Sequence, residues 1–347
     1  LFDRLVDGHP AGRERLVDTL RAHPGIAIVS LAPDGPEGDA VERDGLTGGR
    51  SRPTEPRAGP SVPPAATFPA AAYEACLTAD QARAVRAFES LAAPGNAVVV
   101  EADRGRGKSS AAGLAAGSLA LAGEDVLVTA PAARNAAEVF ARAEELVGES
   151  GDGGESPGGG GDGRRRVGAP GGGRVRFLPP VEAADLPGDP DVVVVDEAAA
   201  LPVRLLERFL DGSLAVAFCT TVHGYEGAGR GFAIRFRERL LDGPLAVRDV
   251  RLDEPIRYAR DDPVEAWASR ALLLDARPAV DDAVADAAVG DASYRALDPD
   301  DLLADETLLG EAFGLLVAAH YRTEPNDLAR LLDAPNLVAR ALVADDR

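Results

Sequence analysis

The sequence is poor in several residue types, and each scarcity narrows what the protein can be. It has no methionine, one tryptophan and two cysteines in 347 residues. Cys76 and Cys219 stand far apart, which argues against a disulfide framework and against a cysteine-based metal site. No apolar run is long enough to span a membrane, and no charged-then-apolar signal segment opens the sequence. We therefore expect a soluble, cytoplasmic protein.

Lysine is almost absent, since Lys108 is the only one and arginine supplies the remaining positive charge. Acidic residues outnumber basic ones by 57 to 37, which gives a formal net charge of -20. Such a field favours solubility and disfavours non-specific phosphate binding, and adaptation to high salt or to a GC-rich genome is the simplest interpretation. The charge by itself argues against a nucleic-acid partner. High salt would screen it, however, and local arginines could still line a basic groove.

The chain divides into segments of different composition. An apolar fraction of 46% is ordinary for globular proteins, and the length suffices for two or three domains. Residues 1–31 hold one helix and one strand, which is too little to fold alone. Residues 32–70 are rich in Pro, Gly and charge and are predicted to be a linker. Residues 277–300 form an Ala- and Asp-rich connection, and 301–347 contain two helical pieces and a strand.

Residues 71–276 alternate short apolar runs with helical stretches. The apolar runs are Ala97–Val100, Val126–Thr129, Val175–Leu178, Val192–Val195, Leu214–Cys219 and Val247–Leu252. The helical stretches include Ser109–Leu121, Ala133–Leu146 and Val203–Leu210. This alternation predicts an α/β domain with a doubly wound parallel sheet that helices cover on both faces. One Gly-rich segment, 148–173, breaks the pattern and is predicted to be a flexible surface insertion.

The first chemical motif follows the first of these apolar runs. The string ADRGRGKS at 102–109 is a P-loop in which alanine replaces the usual first glycine. Gly105 and Gly107 let the backbone turn its N–H groups towards phosphates, and the helix start adds its positive dipole end. Lys108 would reach the β- and γ-phosphates, and the Ser109 hydroxyl would ligate Mg²⁺. The alternative is a tight turn between strand and helix that binds no ligand.

The second motif ends the apolar run Val192–Val195, which Asp196 and Glu197 follow directly. This is a Walker B pattern, in which Asp196 would hold Mg²⁺ directly or through water. Glu197 would then polarise the attacking water. The alternative is a buried strand that happens to end in two acids, an alternative that the neighbouring P-loop makes weaker.

A third motif lies where another predicted strand enters a glycine-rich loop. Thr220 and Thr221 end that strand, and Arg230 lies in the loop. In P-loop enzymes a neighbouring strand tip often senses the γ-phosphate, so the two threonines are candidate sensors. Arg230 could stabilise the charge on the transferred group. A strand cap followed by a mobile turn would explain the same residues.

Two further residues are candidate nucleotide contacts. Gln81 stands three residues after Thr78 in an arrangement typical of a helix N-cap, which is all that the local pattern requires. Its side-chain amide could instead read an adenine edge, because it offers both a donor and an acceptor. Arg257 follows the last predicted strand, at the edge that faces the ligand in such folds, although a surface salt bridge would also explain it.

Taken together, these strings resemble the tRNA(Met) cytidine acetyltransferase family, the RNA N4-cytidine acetyltransferases. The residues that carry the resemblance are Leu77-Thr-Ala-Asp-Gln81, Ala102-Asp-Arg-Gly-Arg-Gly-Lys-Ser109, Asp196-Glu-Ala-Ala199, Thr220-Thr-Val-His-Gly-Tyr-Glu-Gly227, Gly229-Arg-Gly-Phe232, Pro255-Ile-Arg257 and His320-Tyr-Arg-Thr323. The resemblance implies a RecA-like, helicase-related ATPase module joined to a GNAT-type acetyltransferase domain and a tRNA-binding tail. It also implies acetylation of the wobble cytidine of elongator tRNA(Met), with acetyl-CoA as donor and hydrolysis of ATP or GTP.

The resemblance assigns roles residue by residue. Gln81 would contact the nucleotide base, and Arg257 would be a further nucleotide contact. The residues that would hold the phosphates are Asp103, Arg104, Gly105, Arg106, Gly107, Lys108, Ser109 and Ser110. No glycine occurs after Gly314, whereas a GNAT domain binds the acetyl-CoA pyrophosphate on a Gly-containing loop. We therefore expect a fragment in which 1–31 are the remnant of an N-terminal domain and 301–347 open a truncated GNAT domain without its acetyl-CoA site.

Two other functions fit the motifs. A general RNA helicase-type ATPase would require a second RecA-like lobe, and the sequence holds one P-loop lobe. A nucleotide-gated RNA-binding module would bind ATP tightly without turning it over, because Glu197 would then not be catalytic. In each case the expected partner is RNA and not a membrane, and the oligomeric state is left open.

Overall fold

The computed structural model describes residues 10–23, 25–30, 40–43, 60–150, 165–210, 214–221, 236–259, 262–276, 290, 292–319 and 325–343. By their contacts these residues fall into two compact units. The larger unit contains the described residues from 60 to 258. The smaller unit contains those up to 43 together with those from 259 onward.

The strands are β1 (Ile28–Ser30), β2 (Ala40–Arg43), β3 (Asn96–Ala102), β4 (Asp125–Thr129), β5 (Arg166–Gly168), β6 (Arg174–Phe177), β7 (Val192–Val195), β8 (Ala215–Thr221), β9 (Ala246–Leu252), β10 (Ser293–Leu297) and β11 (Ala339–Val343). The α-helices are α1 (Pro10–Ala22), α2 (Ala70–Glu74), α3 (Ala79–Phe88), α4 (Lys108–Leu121), α5 (Ala137–Ser150), α6 (Pro180–Ala183), α7 (Val203–Leu206), α8 (Arg237–Leu241), α9 (Pro263–Leu272), α10 (Pro299–Ala304), α11 (Glu306–Ala319) and α12 (Pro325–Asp333).

The larger unit is built on one seven-stranded sheet with the order β5-β6-β4-β7-β8-β3-β9. All neighbouring strands in it run parallel except β5, which pairs antiparallel with β6 at one edge. Strand β8 lies between the P-loop strand β3 and the Asp-Glu strand β7. The carboxyl ends of these three strands therefore meet at one edge of the sheet, where such folds bind their ligands.

Side chains that alternate along the strands fill a separate core on each face of this sheet. Val98 and Val100 of β3 join the core formed with α3, α4 and α5. Val99 points to the other face, where Phe209 and Phe236 are also buried. Because both faces are covered, the buried middle residues of the central strands are apolar, as is usual for parallel strands. The doubly wound α/β fold predicted from the sequence is thus confirmed.

The six apolar runs all form strands, but several other segments differ from the prediction. Asp305 separates α10 from α11, so three helices stand where two were expected. Of the stretch Val203–Leu210, only Val203–Leu206 is α-helix. The helix predicted from Ala133 begins at Ala137, because residues 133–136 form turns after Pro131. Strand β2 lies inside the predicted linker and pairs antiparallel with β1. Strand β5 lies inside the segment expected to be a flexible insertion, where it adds a short edge to the sheet.

The smaller unit joins helices that are distant in the sequence. The N–H groups of Ala11 and Gly12 at the start of α1 donate to the Asp333 carboxylate, at 2.8 Å and 3.0 Å. The Arg15 guanidinium donates to the carbonyl of Ala271, at 2.6 Å, and so ties α1 to α9. Strands β10 and β11 form an antiparallel pair in the same unit. The assignment of 1–31 and 301–347 to two further domains stays a prediction.

None of the helices in the described part of the chain is both long enough and apolar enough to cross a lipid bilayer.

Candidate active site

The phosphate loop occupies the turn between β3 and α4. Gly105 and Gly107 have φ values of +81° and +86°, a region that costs side-chain-bearing residues about 1–2 kcal/mol. A Cβ at Gly107 would also collide with the Gln81 amide and with Cδ1 of Ile256, so both side chains would have to move. Both glycines are therefore required by the path of the backbone, as the P-loop pattern predicts.

Lys108 meets two other candidate residues at the sheet edge. Its Nζ donates to Oε1 of Glu197 and to Oγ1 of Thr221, each at 2.8 Å. The Thr221 hydroxyl in turn donates to Oε2 of Glu197 at 3.0 Å. Lys108 is only 6% exposed, so its charge is offset mainly by Glu197 and not by water. The three side chains form one closed network in front of the phosphate loop.

The sheet register explains why residues so distant in sequence meet. Ala102, the last residue of β3, pairs with Thr221, the last residue of β8. On the other side of β8, Val195 pairs with Phe218, which puts Glu197 just beyond the sheet edge. Glu197 has φ +50° and ψ +45°, a left-handed conformation that is uncommon for a non-glycine residue. Such strain is concentrated at functional sites, and here it accompanies the contact with Lys108.

Asp196 is fully buried beside this network. Its Oδ1 accepts from the backbone N–H of Glu197 at 3.0 Å, whereas its Oδ2 has no hydrogen-bond partner among the described residues. Burial raises the pKa of Asp196 to about 6. The positive charge of Lys108 opposes that rise in pKa, the charge of Glu197 adds to it, and the Ser109 hydroxyl opposes it.

A buried carboxylate oxygen without a partner is costly, and a bound cation would satisfy it. Mg²⁺ prefers oxygen ligands and usually takes only one or two of them from side chains. The Asp196 carboxylate and the nearby Ser109 hydroxyl are such a pair. Among the described residues no group of three or more His, Cys, Asp or Glu side chains could hold a metal ion. The donor set therefore fits a cation that takes its remaining ligands from phosphates and water.

The two threonines proposed as sensors point to opposite faces of the sheet, as successive strand residues must. Thr221 reaches Lys108 and Glu197, while Thr220 is buried and its Oγ1 has no partner in the part of the chain that the structure describes. Only Thr221 therefore joins the Lys108 network. Arg230, the third residue of that prediction, lies outside the described residues.

Gln81 lies against the phosphate loop. Thr78 caps helix α3 by accepting from the Gln81 N–H at 3.2 Å, so the predicted N-cap is confirmed. The Gln81 amide is 1% exposed, donates to the carbonyl of Gly107 at 3.2 Å and accepts from the N–H of Leu77 at 2.7 Å. Both ends of the amide are thus used within the chain, and a contact with a nucleotide base stays a prediction.

Arg257 is held at the same loop by its backbone. The N–H groups of Ile256 and Arg257 both donate to the carbonyl of Gly105, at 3.0 Å and 3.4 Å. A Cβ on Gly105 would lie 3.2 Å from Cβ of Arg257, so the two residues are in close contact. Ile256 and Asp80 lie inside the strings that carry the family resemblance, but the sequence assigned no role to either residue.

The remaining predicted phosphate contacts all lie in the loop or in the first turn of α4. Ser110 is buried, and Arg104 is exposed. Asp103, Arg106 and Ser109 are partly buried. Their contacts with phosphates stay predictions.

A comparison with known protein families identifies the family of this chain. A family model described as RNA cytidine acetyltransferase NAT10/TcmA, helicase domain, matches residues 99–275, just over half of the chain. The chain belongs to this family. The matched region contains the phosphate loop, the Asp-Glu strand, the Thr221 strand and Arg257, so the network around Lys108 lies entirely within the NAT10/TcmA helicase domain.

Curated relatives share most of the chain. It is 62% identical to the tRNA(Met) cytidine acetyltransferase TmcA of Haloferax volcanii over 335 residues, which are 96% of this chain and 43% of the relative. It is 59% identical to the protein of the same name from Haloarcula marismortui over 342 residues, 97% of this chain and 42% of the relative. The chain therefore spans less than half the length of these relatives.

Similar solved structures are more distant. They include the large terminase from a thermophilic bacteriophage, at 10% identity and a TM-score of 0.37, covering 55% of this chain and 49% of that one. A Pif1 helicase is similar at 14% identity and a TM-score of 0.34, covering 64% of this chain and 60% of that one.

Proposed function

We propose that this chain binds and hydrolyses a nucleoside triphosphate, ATP or GTP, as the helicase-like module of a cytoplasmic tRNA(Met) cytidine acetyltransferase. The observation that carries the proposal is the contact of Lys108 with Glu197 and Thr221 at the phosphate loop. It brings a phosphate-binding cation, a potential base and a hydroxyl to one point at the carboxyl edge of a parallel sheet. That is the constellation needed to bind a triphosphate and to activate water against it.

Each residue has a distinct part in the proposed reaction. Lys108 binds the β- and γ-phosphates, which displace the Glu197 carboxylate from its ammonium group. Glu197, once released, orients the attacking water and accepts its proton. Thr221 contacts both groups and is placed to sense whether the γ-phosphate is present.

Asp196 and Ser109 would hold Mg²⁺, which when bound neutralises charge on the phosphate oxygens. The phosphates themselves lie along the N-terminus of α4, where the backbone N–H groups of the loop and the helix dipole favour anions. Gln81 binds the carbonyl of Gly107, and the backbone of Arg257 binds that of Gly105. Gln81 is proposed to contact the base, and Arg257 is proposed as a further nucleotide contact.

The reaction of the whole protein is a further part of the proposal. Relatives named tRNA(Met) cytidine acetyltransferase TmcA are more than twice as long as this chain. By family membership we infer that hydrolysis drives a conformational step that positions elongator tRNA(Met) for acetylation of its wobble cytidine, with acetyl-CoA as donor. The substrate RNA carries phosphates, and arginines alone would have to attract it in a protein of net charge -20.

The test is a phosphate-release assay with ATP and Mg²⁺ in high salt, with and without elongator tRNA(Met). We expect turnover that the tRNA changes. Tight ATP binding without turnover would support the nucleotide-gated binding module instead. ATP-driven separation of a generic RNA duplex, with no preference for the tRNA, would support the general helicase.

A further inference from the structure

Asp80 is a buried acid that lies next to Gln81 at the start of α3. Its Oδ2 accepts from two successive backbone N–H groups, those of Asp253 at 2.7 Å and Glu254 at 2.9 Å. Its Oδ1 accepts from Arg83 at 2.7 Å. Charged hydrogen bonds of this kind are about twice as strong as neutral ones, so the carboxylate anchors the segment that follows β9.

The anchored segment leads directly to the phosphate loop. Only Pro255, whose ring fixes its own φ, separates Glu254 from Ile256. The N–H groups of Ile256 and Arg257 then donate to the carbonyl of Gly105. The segment is therefore pinned at both ends, by Asp80 at one and by the phosphate loop at the other.

Helix α3 also holds the loop from a second side, because Gln81 donates to the carbonyl of Gly107. Gln81 thus fixes the phosphate loop, and Asp80, the preceding residue of the same helix, fixes the segment that carries Arg257. The pKa of Asp80 agrees with a carboxylate that is charged near neutral pH. Burial pushes the pKa of Asp80 up, but the two backbone N–H groups and Arg83 outweigh it, and the pKa is lowered overall.

We propose that Asp80 is a positioning residue for the nucleotide site, whose carboxylate sets the place of Arg257 over the phosphate loop through the backbone of residues 253–256. This inference rests on the proposed function, since it assumes that the loop binds a nucleoside triphosphate. Asp80 touches neither nucleotide nor water in this role and acts only through Arg257.

The experiment is a double-mutant cycle on the full chain, with the Kd for ATP and Mg²⁺ measured by titration. Asp80→Asn keeps the shape of the side chain and removes its charge. We expect it to raise the Kd by about tenfold, the order that loss of a charged hydrogen bond produces. Arg257→Ala should raise the Kd similarly. The double variant should bind no more than about twofold worse than Arg257→Ala alone, because coupled residues are not additive.

Arg83→Ala is the control, because it removes the exposed partner of Asp80 and a bond of 3.3 Å to the Arg251 carbonyl but leaves both backbone hydrogen bonds of Asp80 in place. Its Kd should stay within about twofold of the wild type, as expected for an exposed ion pair. Pro255→Gly is a second test that leaves α3 untouched and loosens the segment between the two anchors. It should raise the Kd in the same direction, which keeps the idea testable if Asp80→Asn folds poorly.

A Kd unchanged by Asp80→Asn, or losses that multiply in the double variant, would overturn the positioning role while leaving nucleotide binding in place. An Arg83→Ala defect as large as that of Asp80→Asn would also overturn it. A wild-type chain that binds no nucleotide would overturn the proposed function itself, and the role of Asp80 with it.

Discussion

Replacing Glu197 with glutamine should separate nucleotide binding from hydrolysis. The Glu197 carboxylate lies 2.8 Å from Nζ of Lys108, where the phosphates must bind. A triphosphate therefore has to break this ion pair before it can contact the lysine. Glutamine keeps the size of the side chain and an oxygen that accepts from Lys108, but it removes the negative charge that competes with the phosphates.

The size of the change in ATP affinity depends on the burial of the Lys108–Glu197 ion pair. The side chains of Lys108 and Glu197 are 7% and 18% exposed, so the ion pair is largely shielded from water. At an effective dielectric constant of about 20, charges this close attract with roughly 6 kcal/mol, most of which the cost of desolvation offsets. A net attraction of about 1.4 kcal/mol between Lys108 and Glu197 would be lost in Glu197→Gln. ATP would no longer have to overcome it, so this variant should bind ATP about tenfold more tightly. Loss of the base should lower the rate of hydrolysis by at least about 100-fold.

Titration of a fluorescent ATP analogue measures the Kd, and phosphate release measures the rate on the same samples. Glu144→Gln is a matched control, since it removes an exposed carboxylate of α5 outside the site. Glu144→Gln should behave as the wild type in both assays. Weaker binding by Glu197→Gln together with an unchanged rate would refute both the competition and the catalytic role.

Other predictions concern the loop and the metal site. Gly107→Ala should abolish nucleotide binding, since it adds backbone strain and a collision with Gln81. Gly123 has φ +104° but open space around it. Gly123→Ala therefore adds backbone strain without a collision, and it should bind nucleotide normally. Asp196→Asn should end Mg²⁺-dependent hydrolysis yet raise the Tm. A carboxyl whose pKa is raised from 3.8 to about 6 destabilises the charged fold above that pH, on the order of 3 kcal/mol. In the wild type, Mg²⁺ affinity should fall as the pH drops through about 6, and a flat profile would contradict this.

Features with a strong local signature were predictable from the sequence. The valine runs of β3 and β7 form central strands, because burial on both faces leaves them apolar at every position. The P-loop string likewise identifies its turn, since few sequences satisfy the backbone that Gly107 requires. Strand β5 was missed because a three-residue edge strand bearing Arg166 has no apolar run to reveal it.

The side-chain partners were harder to predict, because they depend on register and on contacts distant in sequence. Thr220 and Thr221 were equal candidates until the pairing of β8 with β3 put only Thr221 on the face of Lys108. The Asp80 anchor joins residues 173 positions apart, and no local pattern encodes such a contact. The left-handed backbone of Glu197 was equally hidden, as glutamate has no preference for it.

The most direct test of the account is phosphate release from ATP and Mg²⁺ in high salt by three forms of the chain. These are the wild type, Lys108→Ala and Lys108→Arg. Arginine keeps the charge, but its planar fork cannot replace a compact ammonium among phosphates. We predict turnover by the wild type and a loss of at least about 100-fold in both variants, because the lysine contact strengthens as charge develops on the phosphates. Turnover by Lys108→Ala at the wild-type rate would contradict the account.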